Sequence, residues 1–232
     1  MASASAVSFA EATRRILELR PEVAAFDCDG TLWSIDAGLG FLDWELERQL
    51  VDAVTAASAR ARLRAYQAGD IDEDTFNGYL ASLHAGLPVA TVAAAAREYV
   101  ATHLPPALFH QMTELLGQLA RSGCQIWLVS SSNQWIIEAA ACLIGVPPQQ
   151  VLASAAVSVD GRVTDRLLRV PNAGGKPLAL QAALGRAPDV AFGNSRWDAE
   201  MLAFAAAAFA VHPTPELTAI AATNGWPVLL PT

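Results

Sequence analysis

Two carboxylates one residue apart, Asp27 and Asp29, close an apolar run that begins at Val23 and are followed by Gly30 and Thr31. Ser130, in Ser130-Ser131-Ser132-Asn133, directly follows a second apolar run, Gln125 to Val129. Lys176 opens a helical stretch behind Asn172-Ala173-Gly174-Gly175, and Gly193-Asn194-Ser195-Arg196-Trp197-Asp198 follows a third run, Val190 to Phe192. Acids, hydroxyls and a lysine delivered together suit phosphoryl transfer to an aspartate. A carboxylate attacks phosphorus only once anionic repulsion is removed, which takes a divalent metal and a cation at the phosphate. Hard oxygen donors without a His or Cys cluster suit magnesium.

Each motif also has a plainer reading on its own. Asp, Gly and Thr are turn formers, so Asp27 to Thr31 reads equally as a cap and a turn. Ser130 to Asn133 reads as a helix cap, and Gly193 to Asp198 as a capped turn. Lys176 reads as a solvated lysine, although a cation at a helix start opposes the helix dipole unless a negative charge holds it there.

The positioning elements are legible in the periodicity. Val23 to Phe26 has the length and continuous apolarity of a buried parallel strand, which delivers Asp27 and Asp29 to its carboxyl edge, where open α/β sheets bind ligands. Residues 6 to 19 carry Val7, Phe9, Ile16 and Leu17 in an amphipathic helical pattern ahead of it. From Gly38 to about Ala101 the sequence is almost wholly helical in type, with Leu39, Leu42, Leu46 and Leu50 at helical spacing and breaks near Gly69-Asp70, where Asp72-Glu73-Asp74 before Phe76 reads as a helix start, and near Gly86-Leu87-Pro88, giving three or four helices. Past Pro105-Pro106 strands and helices alternate: helix 108–122, strand 125–129, helix 135–143, a hairpin of 151–159 and 162–164 about Asp160-Gly161, helix 176–184, strand 190–192, helix 199–204, strand 208–211 and helix 216–223. The expected fold class is α/β: a doubly wound, Rossmann-like parallel sheet, residues 1–37 and 103–232, with an inserted all-helical cap, residues 38–102.

Composition narrows the partners. Of 232 residues, 53% are hydrophobic and 16% charged, which argues for a packed globular chain, and the net charge of −8 leaves no basic surplus for nucleic acid or anionic membranes. No apolar run is long enough to cross a bilayer, and the first 20 residues lack the order of a signal peptide. Three cysteines, Cys28, Cys124 and Cys142, without CxxC spacing fit a reducing, cytoplasmic setting. Either a monomer or a homodimer is compatible with these features.

The ordered set Asp27-x-Asp29-Gly30-Thr31, Ser130, Lys176 and Gly193-Asn194-Ser195-x-x-Asp198 resembles the haloacid dehalogenase superfamily, in particular its phosphoserine-phosphatase-like branch with a helical cap after the first motif. The resemblance spans about Val23 to Leu229. It implies a magnesium-dependent phosphatase of a small phosphorylated metabolite. Asp27 would be the nucleophile and a metal ligand; Asp29 the general acid and base, its backbone carbonyl a second ligand; Ser130 and Lys176 the phosphate holders; Asn194 and Asp198 the remaining metal ligands. Asn194 stands where many relatives have Asp, which removes one negative charge from the metal site.

Specificity in that superfamily lies in the cap and in the loop after the first motif, here with Thr31, Trp33 and Asp36. Asp36, nine residues after Asp27, falls where phosphoserine phosphatases have an acid for the substrate ammonium. Ser131 and Trp135 complete the expected substrate contacts. Tryptophan faces bind quaternary ammonium, so Trp33, Trp135, Trp44 and Trp197 raise phosphocholine as a candidate, with Trp44 reading as core. Phosphoserine would need a cap cation, for which Arg60, Arg62 and Arg64 are available. The competing readings are a 2-haloacid dehalogenase and a catalytically silent binding module on the same fold.

Overall fold

The computed structural model describes residues 8–232. Helix α1 (Phe9–Glu18) leads into the central strand β1 (Val23–Phe26). Its start is fixed by the Ser8 hydroxyl, which accepts the Glu11 N–H; Val7, read from the sequence as part of this amphipathic pattern, lies outside the described residues. Four helices follow, α2 (Ala37–Glu47), α3 (Ala53–Ala68), α4 (Glu73–Ser82) and α5 (Val89–His103). Asp36, Asp52 and Asp72 cap the first three, each side chain accepting an N–H three residues on. These caps satisfy donors the helix leaves unpaired, and Gly69, at a φ of 79°, ends α3 in the left-handed region that favours glycine.

The alternation then resumes with α6 (His110–Arg121), β2 (Gln125–Asn133), α7 (Gln134–Leu143), the hairpin β3 (Val151–Val159) and β4 (Arg162–Arg169), α8 (Gly175–Leu184), β5 (Val190–Gly193), α9 (Ala199–Phe204), β6 (Ala207–Val211), α10 (Pro215–Asn224) and β7 (Val228–Leu229). The seven strands form one sheet in the order β4-β3-β2-β1-β5-β6-β7. It is parallel except for β4, which returns antiparallel to β3. This is the expected doubly wound α/β sheet. The chain builds outward from β1 on one side and then crosses back to place β5 on the other, so the topological switch point lies at the carboxyl ends of β1 and β5.

Two boundaries differ from the periodicity. β2 continues through Ser130 to Asn133, past the end of its apolar run, with a register shift against β3 that lets the polar segment pair while turning toward the sheet edge. β4 extends to Arg169 rather than stopping near Thr164; it is an edge strand with two register shifts, so Leu167 and Leu168 are both exposed and period-2 alternation fails.

The sheet is covered on both faces. Ala24, Phe26, Leu128 and Phe192 pack under α1, α5, α6 and α7, while Ala25, Val129 and Ala191 pack under α8, α9 and α10. Helices α2 to α4 enclose a separate small core of Leu42, Leu46, Ala59, Phe76 and Leu80. α4 leans on β2, β3 and β4, approaching so closely that a Cβ at Gly78 would lie 2.9 Å from Leu167 Cδ1. Across the sheet centre Phe26, Phe192 and Phe209 are register partners and stack at 4.4 and 5.3 Å between ring centroids. Phe192→Ala empties the middle of this stack and is expected to cost about 3–5 kcal/mol by urea denaturation. A loss below about 1 kcal/mol would mean that the flanking rings collapse into the space.

Candidate active site

The cleft lies at the switch point, over the carboxyl ends of β1, β2 and β5 and under α2, α3 and α4. It encloses about 330 Å³ and its lining includes Asp27, Asp29, Ser130, Ser131, Lys176 and Asn194. Thr31 and Asp198 are buried just behind it. Residues from four separate stretches of sequence are thus brought together.

At its floor the Lys176 ammonium donates to Asp27 Oδ1 at 2.7 Å, to Asp198 Oδ1 at 2.5 Å and to the Val129 carbonyl at 3.3 Å. The Thr31 hydroxyl donates to Asp27 Oδ2 at 2.8 Å. Asp198 Oδ2 accepts the Asn194 and Ser195 N–H groups and the Ser195 hydroxyl, closing the turn after β5. Thus the lysine is misplaced against its own helix dipole but held by two buried carboxylates. Burial pushes the Asp27 carboxyl up, as does Asp198, and only partly do Lys176 and Thr31 pull it back, to about 7. Burial alone would lower Lys176, but Asp198 and Asp27 outweigh it and hold the ammonium well above its ordinary value.

Asp29 is gripped from three directions. Oδ1 accepts the Trp33 indole N–H at 2.6 Å and the Ala37 N–H at 2.8 Å; Oδ2 accepts the Ser132 hydroxyl at 2.6 Å. These donors favour the carboxylate, yet desolvation and the charge of Asp36 lift it to about 6, within reach of proton exchange near neutrality. Gly30 is required by both backbone and space: its φ is 76°, and a Cβ there would sit 1.9 Å from Asn194 Nδ2.

Metal donors are hard oxygens, the class a small divalent cation such as magnesium accepts. Asp27 and Asn194 line the cleft, and the Asn194 side-chain amide makes no hydrogen bond to the described residues, its backbone N–H alone being bound to Asp198. Asp198 is spoken for in this arrangement, one oxygen on Lys176 and the other on its turn. Among the described residues no three His, Cys, Asp or Glu form a metal cluster.

The upper wall differs more from the sequence expectation. Asp36 does line the cleft, but its Oδ1 caps α2. The walls of the cleft, and then Glu73 and Asp27, raise its carboxyl. Trp33 and Trp135 are not brought to the cleft. Trp33 is fully buried in the main core and serves the site only through its N–H on Asp29, and Trp135 packs inward from α7. Trp44 stacks on Phe41 and packs edge-on to Tyr99, and Trp197 alone of the four lines the cleft. Arg60, Arg62 and Arg64 do not line it either; Arg62 lies over Tyr79. Not singled out from sequence were Ser132, which holds Asp29, and Tyr66, Glu73 and Phe76, which come from the inserted helices. The signal for Ser132 was its place in the Ser130 motif; for Glu73 only a helix-start pattern was visible.

Fold and cleft together define a doubly wound α/β hydrolase with helices inserted after its first strand. The chain belongs to the haloacid dehalogenase-like hydrolase family, whose model matches residues 24–203. It is 27% identical over 217 residues to a histidinol-phosphatase of Neisseria meningitidis serogroup C (strain 8013), covering 89% of this chain and 97% of that protein. A solved structure of a Bordetella pertussis Tohama I protein of unknown function superposes with a TM-score of 0.79 at 23% identity, covering 90% of this chain and 97% of that one. A phosphoserine phosphohydrolase-like protein from Francisella tularensis gives a TM-score of 0.59 at 18% identity, covering 90% and 94%. The two structural likenesses are likenesses of fold. No described helix is long and apolar enough to cross a membrane.

Lys176→Met leaves Asp27 and Asp198 buried without their cation, and in metal-free buffer is expected to cost about 3–5 kcal/mol. Without the lysine the folded Asp27 carboxyl rises further above its ordinary 3.8. Wild-type Asp27 already holds its proton in the folded state up to about 7, so both proteins lose stability alike below that pH and the deficit grows as pH rises from about 7 to about 9. Urea denaturation with EDTA across that range checks this; a deficit independent of pH would mean that neither acid is charged.

Proposed function

We propose that the protein is a magnesium-dependent phosphatase that hydrolyses the phosphomonoester of a small cationic alcohol through an aspartyl-phosphate on Asp27. The observation that carries this is the buried Lys176 bridge, which orients Asp27 at the floor of a cleft lined by hydroxyls. Family membership and the phosphatase relative support the same reaction class.

In this reading Asp27 attacks phosphorus in line with the ester oxygen. Lys176 and the Ser130 hydroxyl hold the phosphate oxygens, Ser130 being oriented by the Ser132 N–H that its oxygen accepts at 3.1 Å. When bound beside Asp27 and Asn194, with Asp198 behind them and the Asp29 carbonyl as a further ligand, magnesium supplies positive charge that offsets the meeting of two anions. As the P–O bond breaks, protonated Asp29 gives its proton to the departing alkoxide. Its carboxylate then takes a proton from water, which attacks the phosphoaspartate and returns Asp27 and inorganic phosphate. The three donors on Asp29 hold its oxygens in one orientation through both steps.

The leaving group is read from charge. Among the described residues lining the cleft, Lys176 is the one cation, and it is committed to Asp27 and Asp198; Asp36 and Glu73 face the same space. A substrate ammonium is served there, but a carboxylate is not, which disfavours phosphoserine. Histidinol phosphate, the substrate class named by the curated relative, has the required cation and no carboxylate. The Trp33 and Trp135 faces expected for phosphocholine are not in the cleft, whose aromatic lining is Tyr66, Phe76 and Trp197.

The purified protein is expected to hydrolyse p-nitrophenyl phosphate with magnesium and to lose this activity in EDTA. Asp27→Asn abolishes turnover, and Asp29→Asn lowers kcat by about 10²- to 10⁴-fold with an alcohol of ordinary basicity as leaving group. A wild type inert toward every phosphomonoester across magnesium, manganese and cobalt would sink the proposal. In a metabolite panel histidinol phosphate should exceed phosphoserine in kcat/KM by at least about tenfold, the consequence of an unpaired carboxylate.

A further inference from the structure

Glu73 lines the catalytic cleft from the first turn of α4, half-buried, with its carboxylate fixed by neighbouring side chains. Oε2 accepts the Tyr66 hydroxyl at 2.5 Å, and Oε1 takes a longer contact of 3.4 Å from Asn77 Nδ2. An acid in the first turn of a helix is ordinarily explained by the dipole or by capping. Here capping is done by Asp72, whose Oδ1 accepts the Thr75 N–H at 2.7 Å, and Tyr66 and Asn77 hold Glu73 against the cleft instead. Beside it Tyr66 and Phe76, which also line the cleft, stack face to face at 4.5 Å and 3° between planes, aromatic surface of the kind that attracts cations.

Charge completes the argument. Asp36 and Glu73 both line the cleft, and among the described residues lining it Lys176 is the one cation; Arg196, stacked over Trp197, lies outside the lining though near enough to act on Tyr66. With one substrate ammonium on Asp36, Glu73 keeps only its neutral partners, Tyr66 and Asn77, and no second cation among the cleft lining meets its charge. We infer that Glu73 is a specificity-determining residue of the inserted helices, receiving a second cationic or N–H-donating group of the substrate, remote from the ester, with Tyr66 as its positioning residue. The substrate class is then an amino-alcohol phosphate that bears a further basic group, such as an imidazole. This rests on the phosphatase reading above.

The test compares kcat/KM of wild type and Glu73→Gln on three esters: histidinol phosphate, with ammonium and imidazole; phosphoethanolamine, with ammonium alone; and glycerol phosphate, neutral at its alcohol end. Glu73→Gln is expected to lower kcat/KM for histidinol phosphate about tenfold to a hundredfold, mostly through KM, the range for a lost charged hydrogen bond. The other two esters should shift by less than about twofold, and Tyr66→Phe should show a smaller loss confined to histidinol phosphate. Equal losses on all three esters would assign Glu73 a purely structural role, and no loss on any would remove it from the substrate; either overturns the inference. A wild type that hydrolyses p-nitrophenyl phosphate but does not favour histidinol phosphate over phosphoethanolamine overturns it as well. Failure on p-nitrophenyl phosphate itself would strike the phosphatase reading, not Glu73 alone.

Discussion

The rest of the structure depends on one buried ammonium. Lys176 reaches from the first turn of α8 to Asp27 after β1, to Asp198 after β5 and to the last apolar residue of β2, so four elements converge on one charge. Two carboxylates and a lysine removed from water are each costly, and only their mutual pairing makes the arrangement tolerable. This explains why the loop before α8 accepts strain, with Ala173 at a φ of 44° and Gly175 so close to the Val170 carbonyl that a Cβ would lie 2.8 Å from it. That loop is also tied to the inserted helices, since Asn172 Nδ2 donates to Asp74 at 2.9 Å.

Around this anchor the two acids of the first motif have been given different surroundings. Asp27 is bound to a cation and a hydroxyl, whereas Asp29 is held by two N–H groups and a hydroxyl and has no cation in contact. Neighbouring acids with unlike environments are the usual basis for dividing nucleophilic from proton-transfer duty. The donors to Asp29 arrive from the loop after β1, from the start of α2 and from β2, so the setting of that carboxyl depends on where the inserted helices begin. The close packing of Gly38 against Ser132, where a Cβ would lie 2.8 Å from the hydroxyl, shows how little slack the junction has.

Sequence reading recovered the elements that carry strong periodicity, the three motifs at strand ends and the lysine at a helix start, because continuous apolar runs and abrupt polar terminations are local properties. It misassigned the surroundings of large side chains. Trp33 and Trp135 were expected at the substrate because they flank the motifs, but flanking in sequence says nothing about which side of a strand end or helix faces the cleft. Trp33 turned inward because its indole N–H finds Asp29 while its ring fills the main core. Conversely Glu73 looked like a helix-start acid, and only the fold of α3 against α4 placed Tyr66 beside it and aimed both at the cleft.

What the sequence by itself determined was the class of sheet, the insertion of helices after the first strand, the identity of the acids and hydroxyl at strand ends and that of the lysine at a helix start. These follow from hydrophobic period and from residue chemistry, both of which are written along the chain. What only the tertiary structure decided was the partner of each group: that Lys176 bridges Asp27 and Asp198 across 149 and 22 residues of sequence, and that Asp36, Tyr66 and Glu73 line the cleft while Trp33 and Trp135 do not. Burial and long-range pairing set these, since the desolvation that raises Asp27 and Asp29 exists only once the sheet and the inserted helices have closed over them.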